Sequence, residues 1–172
     1  YDPLVVMATA AAVTERIKIG VAVLVIPYRH PVLTANMIAT LDHSSQGRII
    51  LGAGVGWMER EFAALGQDVH SRGAVTDEYL DCMQALWGSD PTTFHGRWTQ
   101  FEEMRLNPKP VQQPMPIWIG GASDAAVRRA ATRGTGWIPS DLTVESVATE
   151  VQRYKTACTE AGRSPGTVCI RA

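Results

Sequence analysis

Three glycines at alternate positions, Gly52, Gly54 and Gly56, stand in the stretch Gln46-Gly-Arg-Ile-Ile-Leu-Gly-Ala-Gly-Val-Gly-Trp57. Side chains alternate across a strand, so these glycines share one face while Leu51, Ala53, Val55 and Trp57 take the other. Glycine weakens a strand, and close approach of another backbone or of a flat ligand is the usual reason for it. A planar ring is the first candidate here, and a glycine-rich turn at a strand end is the ordinary alternative. A second stretch runs Pro116-Ile-Trp-Ile-Gly-Gly-Ala-Ser-Asp124. Strand, glycine pair and helix start, in that order, leave backbone N–H groups that can hold a phosphate with help from the helix dipole and the Ser123 hydroxyl. Capping of the helix by Ser123 explains the same residues without a ligand.

Other chemistries lack their residues. Counted from Gly52 or from Gly54, the spacing Gly-x-Gly-x-x-Gly of a dinucleotide fold fails, because Trp57, Met58 and Glu59 follow Gly56. No Gly-Lys-Ser/Thr phosphate loop and no Gly-x-Ser-x-Gly elbow is present, and His30, His43, His70 and His95 show no paired metal spacing. No metal site is expected. His30, before Pro31, could orient a ligand, although capping the next helix is the commoner role. Asp42 and Arg48 are expected to pair with each other or with backbone around the turn into the glycine strand. Arg72 and Glu61 could serve as anion clamp and proton carrier, with an ordinary ion pair as the default for each. Trp57, Trp118 and Trp137 are expected to pack in the core. None of these residues identifies itself as a catalyst.

The elements that must position these groups follow from periodicity. Asp2-Pro3 with Leu4, Met7, Ala8 and Ala11 predicts a capped helix. Ile17 to Ile26 is almost wholly apolar and predicts one strand covered on both faces. Leu33, Met37, Ile38 and Leu41 predict a helix that ends near Ser45-Gln46-Gly47, and Arg48 to Gly56 is the glycine strand. One or two helical turns are expected over Met58 to Leu65. Thr76-Asp77-Glu78 reads as a helix start, with Tyr79, Cys82, Met83 and Leu86 inside and an end near Gly88. Residues 91–110 predict an inserted hairpin turning at Gly96. Val127, Ala130 and Ala131 mark a helix, Gly136 to Pro139 a strand, Thr143 the cap of a helix that runs to Gly162, and Thr167 to Ile170 a last strand. Strands alternating with helices give parallel βα units and an α/β fold, either barrel or doubly wound sheet.

At 172 residues the chain suits one domain, 1–172. With 16 Lys+Arg against 17 Asp+Glu and no run of like charge, neither nucleic acid nor a membrane surface is an expected partner. A small organic molecule is. Cys82, Cys158 and Cys169 are odd in number and widely spaced, which argues against a disulfide framework or zinc. With no leader-like or membrane-spanning stretch in the sequence, a cytoplasmic location is the expectation.

Taken together, Ala10-Ala-Ala-Val-Thr-Glu-Arg-Ile-Lys-Ile-Gly20, Pro27-Tyr-Arg-His-Pro31, Leu41-Asp-His-Ser-Ser-Gln-Gly-Arg48, Leu51-Gly-Ala-Gly-Val-Gly-Trp57, Glu61, Leu65-Gly66, Arg72, Pro116-Ile-Trp-Ile-Gly-Gly121 and Gly136-Trp137 resemble the bacterial luciferase-like flavin- or deazaflavin-dependent oxidoreductases. The subgroup most resembled uses the deazaflavin F420, and FMN-dependent monooxygenases share the framework. The resemblance implies a (β/α)8 TIM-barrel type, present here as an incomplete barrel of about strands 3 to 7, since a full barrel takes about 250 residues. It places Ala22 and Val23 where the family has a non-proline cis peptide against the cofactor's central ring. Gly54, Val55 and Gly56 would line the ring, and Gly120, Gly121, Ala122 and Ser123 would take its phosphate. Val21-Ala22 replaces a Thr-Ser often found there, removing hydroxyls that could bond the ring. The implied function is hydride transfer between an organic substrate and F420. The alternatives are an FMN-dependent monooxygenase and a truncated, non-catalytic flavin-binding or dimerising relative. The acid and base residues of F420 enzymes come largely from strands absent here, so the catalytic residues are unknown. A homodimer is expected, because open barrel edges invite association.

Overall fold

The computed structural model describes residues 1–170. Helix α1 (Pro3–Val13) opens as its sequence predicts, with the Asp2 carboxylate accepting from the Leu4 and Val5 amides at 2.9 and 3.2 Å. The apolar run that follows is not one strand. It forms β1 (Ile19–Gly20) and β2 (Leu24–Val25), and Ile17 lies exposed outside both. Both pieces pair parallel with β3 (Ile49–Gly54), Gly20 opposite Ile50 and Leu24 opposite Ala53. From Gly20 to Leu24 is therefore one residue more than from Ile50 to Ala53, and the surplus residue bulges out of the sheet at Val21 to Val23. The Ala22–Val23 peptide is cis, where the resemblance places it.

Helix α2 (Pro31–Ser44) leads through Gln46 and Gly47, both at positive φ, into β3. Asp42 and Arg48 hold this turn without touching each other. Asp42, fully buried, accepts from the Gln112 amide and side chain at 2.9 and 2.7 Å. The Arg48 guanidinium donates to the Ser45 and Ala11 carbonyls at 2.8 and 3.0 Å and to the Thr14 hydroxyl at 2.9 Å, tying the end of α1 to the start of β3. After β3 come α3 (Glu59–Ala64) and α4 (Arg72–Gly88). Helix α4 starts four residues before the expected Thr76 cap. Asp68 caps the preceding turn through the His70 amide, and Thr76 turns its hydroxyl back onto the Arg72 carbonyl inside the helix.

The hairpin forms where expected, from β4 (Thr92–His95) and β5 (Gln100–Met104). Next follow β6 (Ile117–Gly120), α5 (Asp124–Arg133), β7 (Gly136–Ile138), α6 (Val147–Glu160) and β8 (Thr167–Val168). Thr143 does not cap α6: it and Ser146 bond each other's amides in a turn before the helix, at 3.0 and 3.3 Å. The parallel strands lie in the order β1-β3-β6-β7-β8, with β2 also beside β3. Each strand adds next to the one before it, without the reversal of a doubly wound sheet, so the fold is an α/β barrel segment.

One face of the sheet, with Ile49, Leu51, Ala53, Ile117, Ile119 and Trp137, is buried against the helices by Ala35, Ile38, Leu80, Met83, Leu86, Val127 and Ala130. The other face carries the glycines. Among the described residues no helix is long and apolar enough to cross a membrane.

Candidate active site

In parallel α/β folds the carboxyl ends of the strands meet the helix starts, and ligands bind there. At the ends of β2, β3, β6 and β7 a cavity of about 500 Å³ is lined by Ala22, Val23, Val25, residues 54–57, Gly120, Gly121, Ile138, Ser140 and Asp141. This size suits a drug-sized ligand. The two glycine sites of the sequence thus open into one space. A wider groove of about 770 Å³ between α5 and α6 is lined by helix residues such as Arg128, Gln152 and Glu160, away from the strand ends.

The glycine face is not bare. A Cβ at Gly52 would overlap the Val21 carbonyl oxygen, and one at Gly54 would overlap Cγ2 of Val23. At Gly120 it would stand 2.6 Å from Cγ1 of Val23. The close approach that these glycines permit is therefore by the bulged segment of the same chain. Val23 lies against Gly54 and Gly120, and Val25 against Gly56, so these valines share with Gly54, Val55 and Gly56 the lining of the cavity. The surface offered to a ligand is the bulge, Ala22 and Val23, with Val55 beside it. Gly56 adopts φ +77, which ends the strand alternation and separates Trp57 from Leu51 and Ala53.

At the second strand end, Gly121 has φ +108, open to glycine at little cost. Its amide donates to the Ile138 carbonyl at 3.0 Å, and its carbonyl accepts from the Trp137 indole at 2.7 Å. The Ser123 hydroxyl caps α5 by accepting from the Ala126 amide at 3.2 Å. Arg153, from α6, donates to the Ala122 carbonyl and to the Asp124 carboxylate, each at 2.5 Å. What an anion could use here is the Ala122 and Ser123 backbone and the first turn of α5, since the Arg153 charge is paired with the Asp124 and Glu150 carboxylates. Gly120 and Gly121 line the cavity, whereas Ala122 and Ser123 do not.

Other residues singled out in the sequence lie elsewhere. His30 occupies the cap position of α2 without a side-chain bond. Glu61 accepts from the Tyr28 hydroxyl at 2.7 Å, and Arg72 donates to the Val69 carbonyl at 2.7 Å; neither lines the cavity. Burial and the Glu61 carboxylate push the Tyr28 phenol up to about 12. Of the three tryptophans expected in the core only Trp137 is fully buried; Trp118 is half-buried, and Trp57 is exposed at the cavity mouth. No residue of 91–110 lines the cavity: the hairpin follows the end of α4 and folds back along that helix. Val25, Ile138, Ser140 and Asp141 line the site although sequence reasoning did not single them out. The signal was present for three of them, because they end or follow the strand at Gly136, and strand ends are where such sites form.

A family model described as luciferase-like monooxygenase matches residues 1–172. An uncharacterised protein of Mycobacterium tuberculosis is 36% identical over 148 residues, covering 84% of this chain and 52% of the relative. The FMNH(2)-dependent dimethylsulfone monooxygenase of Pseudomonas putida is 29% identical over 168 residues, covering 95% and 46%. An F420-dependent secondary alcohol dehydrogenase, solved with an F420-acetone adduct, superposes with a TM-score of 0.89 at 21% identity, over 99% of this chain and 53% of that one. That likeness concerns the fold. The chain spans about half the length of the relatives it matches.

Proposed function

This chain belongs to the luciferase-like monooxygenase family, and on that premise we propose that it forms the cofactor-seating part of an oxidoreductase that transfers a hydride between an organic substrate and F420. The observation that carries the proposal is the single cavity joining the Val21–Val23 bulge to the tips of β3 and β6. The residues suit a tricyclic ring and its phosphate. Ala22, Val23 and Val55 offer an apolar seat, and the Ala122–Ser123 backbone, next in the chain after the cavity-lining Gly120 and Gly121, offers donors to an anion at the start of α5. No hydroxyl is offered by Val21, Ala22 or Val23, which suits a deazaflavin: the carbon in place of flavin N5 has no lone pair to satisfy. When bound, the cofactor supplies the hydride chemistry itself. The chain's residues seat the ring, anchor the tail and keep water from the ring's covered face.

A second reading, an FMN-dependent monooxygenase, is favoured by the 29% identity to the dimethylsulfone enzyme. Titration of the protein with F420 and with FMN separates the two. Tight binding of F420 with indifference to FMN supports the first reading, the reverse pattern supports the second, and binding of neither overturns both. The anchor has its own test. Gly121→Asp is unsuitable, because φ +108 strains any side chain there, whereas Ala122→Asp puts charge against charge without that strain. It is expected to weaken either cofactor about tenfold or more. Unchanged affinity would remove the anchor from the proposal.

We further propose a homodimer formed through α1. That helix carries no charged residue between Pro3 and Val13 and exposes Val5, Val6 and Val13, with Val5 sharing a groove with Met37 of α2.

A further inference from the structure

Trp57 differs from the other tryptophans in having no packing role. Trp87 and Trp137 are buried, and their indoles donate to the Ala35 and Gly121 carbonyls at 3.0 and 2.7 Å. Trp57 is 78% exposed and lines the mouth of the cavity. Its direction is set from below. Gly56, at φ +77, turns the chain out of β3, and a Cβ there would meet Val25 at 2.7 Å and the Phe62 ring at 3.0 Å. Phe62 is buried, with Tyr28 edge-on at 4.9 Å, and the Tyr28 hydroxyl is held by Glu61. A packed floor thus carries a large aromatic face outward, where nothing of this chain covers it among the described residues. Such a face is costly in water and is the kind of group that anchors a bound partner.

The walls around it agree on the chemistry. Val23, Val25 and Val55 are apolar, and no Lys, Arg or His occurs among the described residues that line the cavity. Ser140 and Asp141 follow β7, on the other side of β6 from Trp57. An anion held against these apolar walls would find no cation among them to pair with. We infer that Trp57 is the substrate-facing wall of this site and that it selects an uncharged organic molecule with an aromatic or hydrocarbon face over a phosphorylated one. The inference rests on the proposed reading for the redox nature of the site, and on the cavity alone for the class of molecule.

The test uses 2-naphthol and 2-naphthyl phosphate as fluorescent probes of the native protein, Trp57→Ala and Trp57→Phe, by probe anisotropy with and without cofactor. Native protein is expected to bind 2-naphthol in preference to its phosphate ester. Trp57→Ala is expected to lose about tenfold in 2-naphthol affinity, and Trp57→Phe to stay within about threefold of native, since a smaller ring keeps most of the contact. F420 and FMN affinities should fall by less than 2-naphthol affinity does in Trp57→Ala. Because Trp57 is exposed, the unfolding midpoint should not move, and Trp57→Phe reports even if the alanine variant is unstable. Equal 2-naphthol affinity in all three proteins, preference for the phosphate, or no probe binding to native protein would overturn the inference. Loss of cofactor affinity in parallel with the probe would overturn it too, by giving Trp57 to the cofactor. If neither cofactor binds, the redox reading falls while the 2-naphthol titration still decides the role of Trp57.

Discussion

A single methyl group tests the packing of the site. Gly54 and Gly120 lie under Val23, and Gly54→Ala sets a Cβ into the space its side chain occupies. Overpacking of this kind costs about 1–3 kcal/mol. The expected outcome is a lowered urea midpoint for Gly54→Ala, with a substantial part restored in the double variant that also carries Val23→Ala. Equal losses in the presence and absence of Val23→Ala would show that the two residues do not compete for space. Burial and nearby Glu78 push the Cys82 thiol up to about 12, and burial, followed by Glu61, does the same to the Tyr28 phenol. Both groups are kept protonated by the fold. Their contribution is complete below their ordinary values of 9.0 and 10.0 and is lost as pH rises towards 12. Stability measured by urea unfolding is therefore expected to decline from about pH 9 upward, and Cys82→Ala should move that onset towards about pH 10. A pH-independent midpoint over this range would contradict the assignment.

Among the elements, the hairpin shows how one side chain can secure two strands and their turn. The Glu78 carboxylate of α4 accepts from the amides of Arg97, Trp98 and Thr99 at 2.6, 2.8 and 2.8 Å. Gly96 leaves room for it, since a Cβ there would overlap the carboxylate. Bonds to a charged group contribute about 1.5–3 kcal/mol each before losses shared among them. Glu78→Ala is expected to lower the unfolding midpoint and to speed hydrogen exchange at those three amides. Cofactor affinity should be unchanged, because the hairpin stands away from the cavity. The sequence placed Glu78 in the first turn of a helix, as a partner for the dipole. With α4 starting at Arg72, the same residue sits two turns in and faces the hairpin instead. Helices α4 and α5 are joined by Arg129, buried and bonded to Asp77 at 2.6 Å, and by Arg133, bonded to Asp81 at 2.8 Å. Asp77→Ala would leave the buried guanidinium uncompensated, at a cost of about 3–5 kcal/mol read as a loss of stability.

For the molecule as a whole, the strand order gives a curved segment with β1, β2 and β8 at its margins. Its outer layer is unevenly finished. Helices α4 and α5 are bridged by arginines and aspartates, whereas α1 presents valines to solvent beside a groove of about 400 Å³ lined by Leu4, Val5, Ala8, Met37 and Leu41 among others. Exposed apolar surface of this kind is what the proposed dimer would cover. Sedimentation is expected to find a dimer that Val5→Lys together with Val6→Glu converts to monomer, with the circular dichroism of the fold retained. A native monomer would refute the proposed dimer.

Local rules acting along the chain determined much of this protein. The Asp2-Pro3 start of α1, the hairpin turning at Gly96, the parallel βα order and the positions of the three alternate glycines and of the Gly120-Gly121 pair follow from capping, turn chemistry and periodicity, which act over a few residues. Periodicity could not show that the apolar run from Ile17 to Ile26 carries one residue more than its neighbour can pair with, because register exists only between strands. For the same reason, what fills the glycine face, which partners Asp42 and Arg48 take beyond Ser45, and where Glu78 points were decided by chain segments 19 to 97 residues distant. The exposure of Trp57 belongs with them: the turn at Gly56 and the floor built by Val25 and Phe62 carry outward a residue whose type alone would bury it.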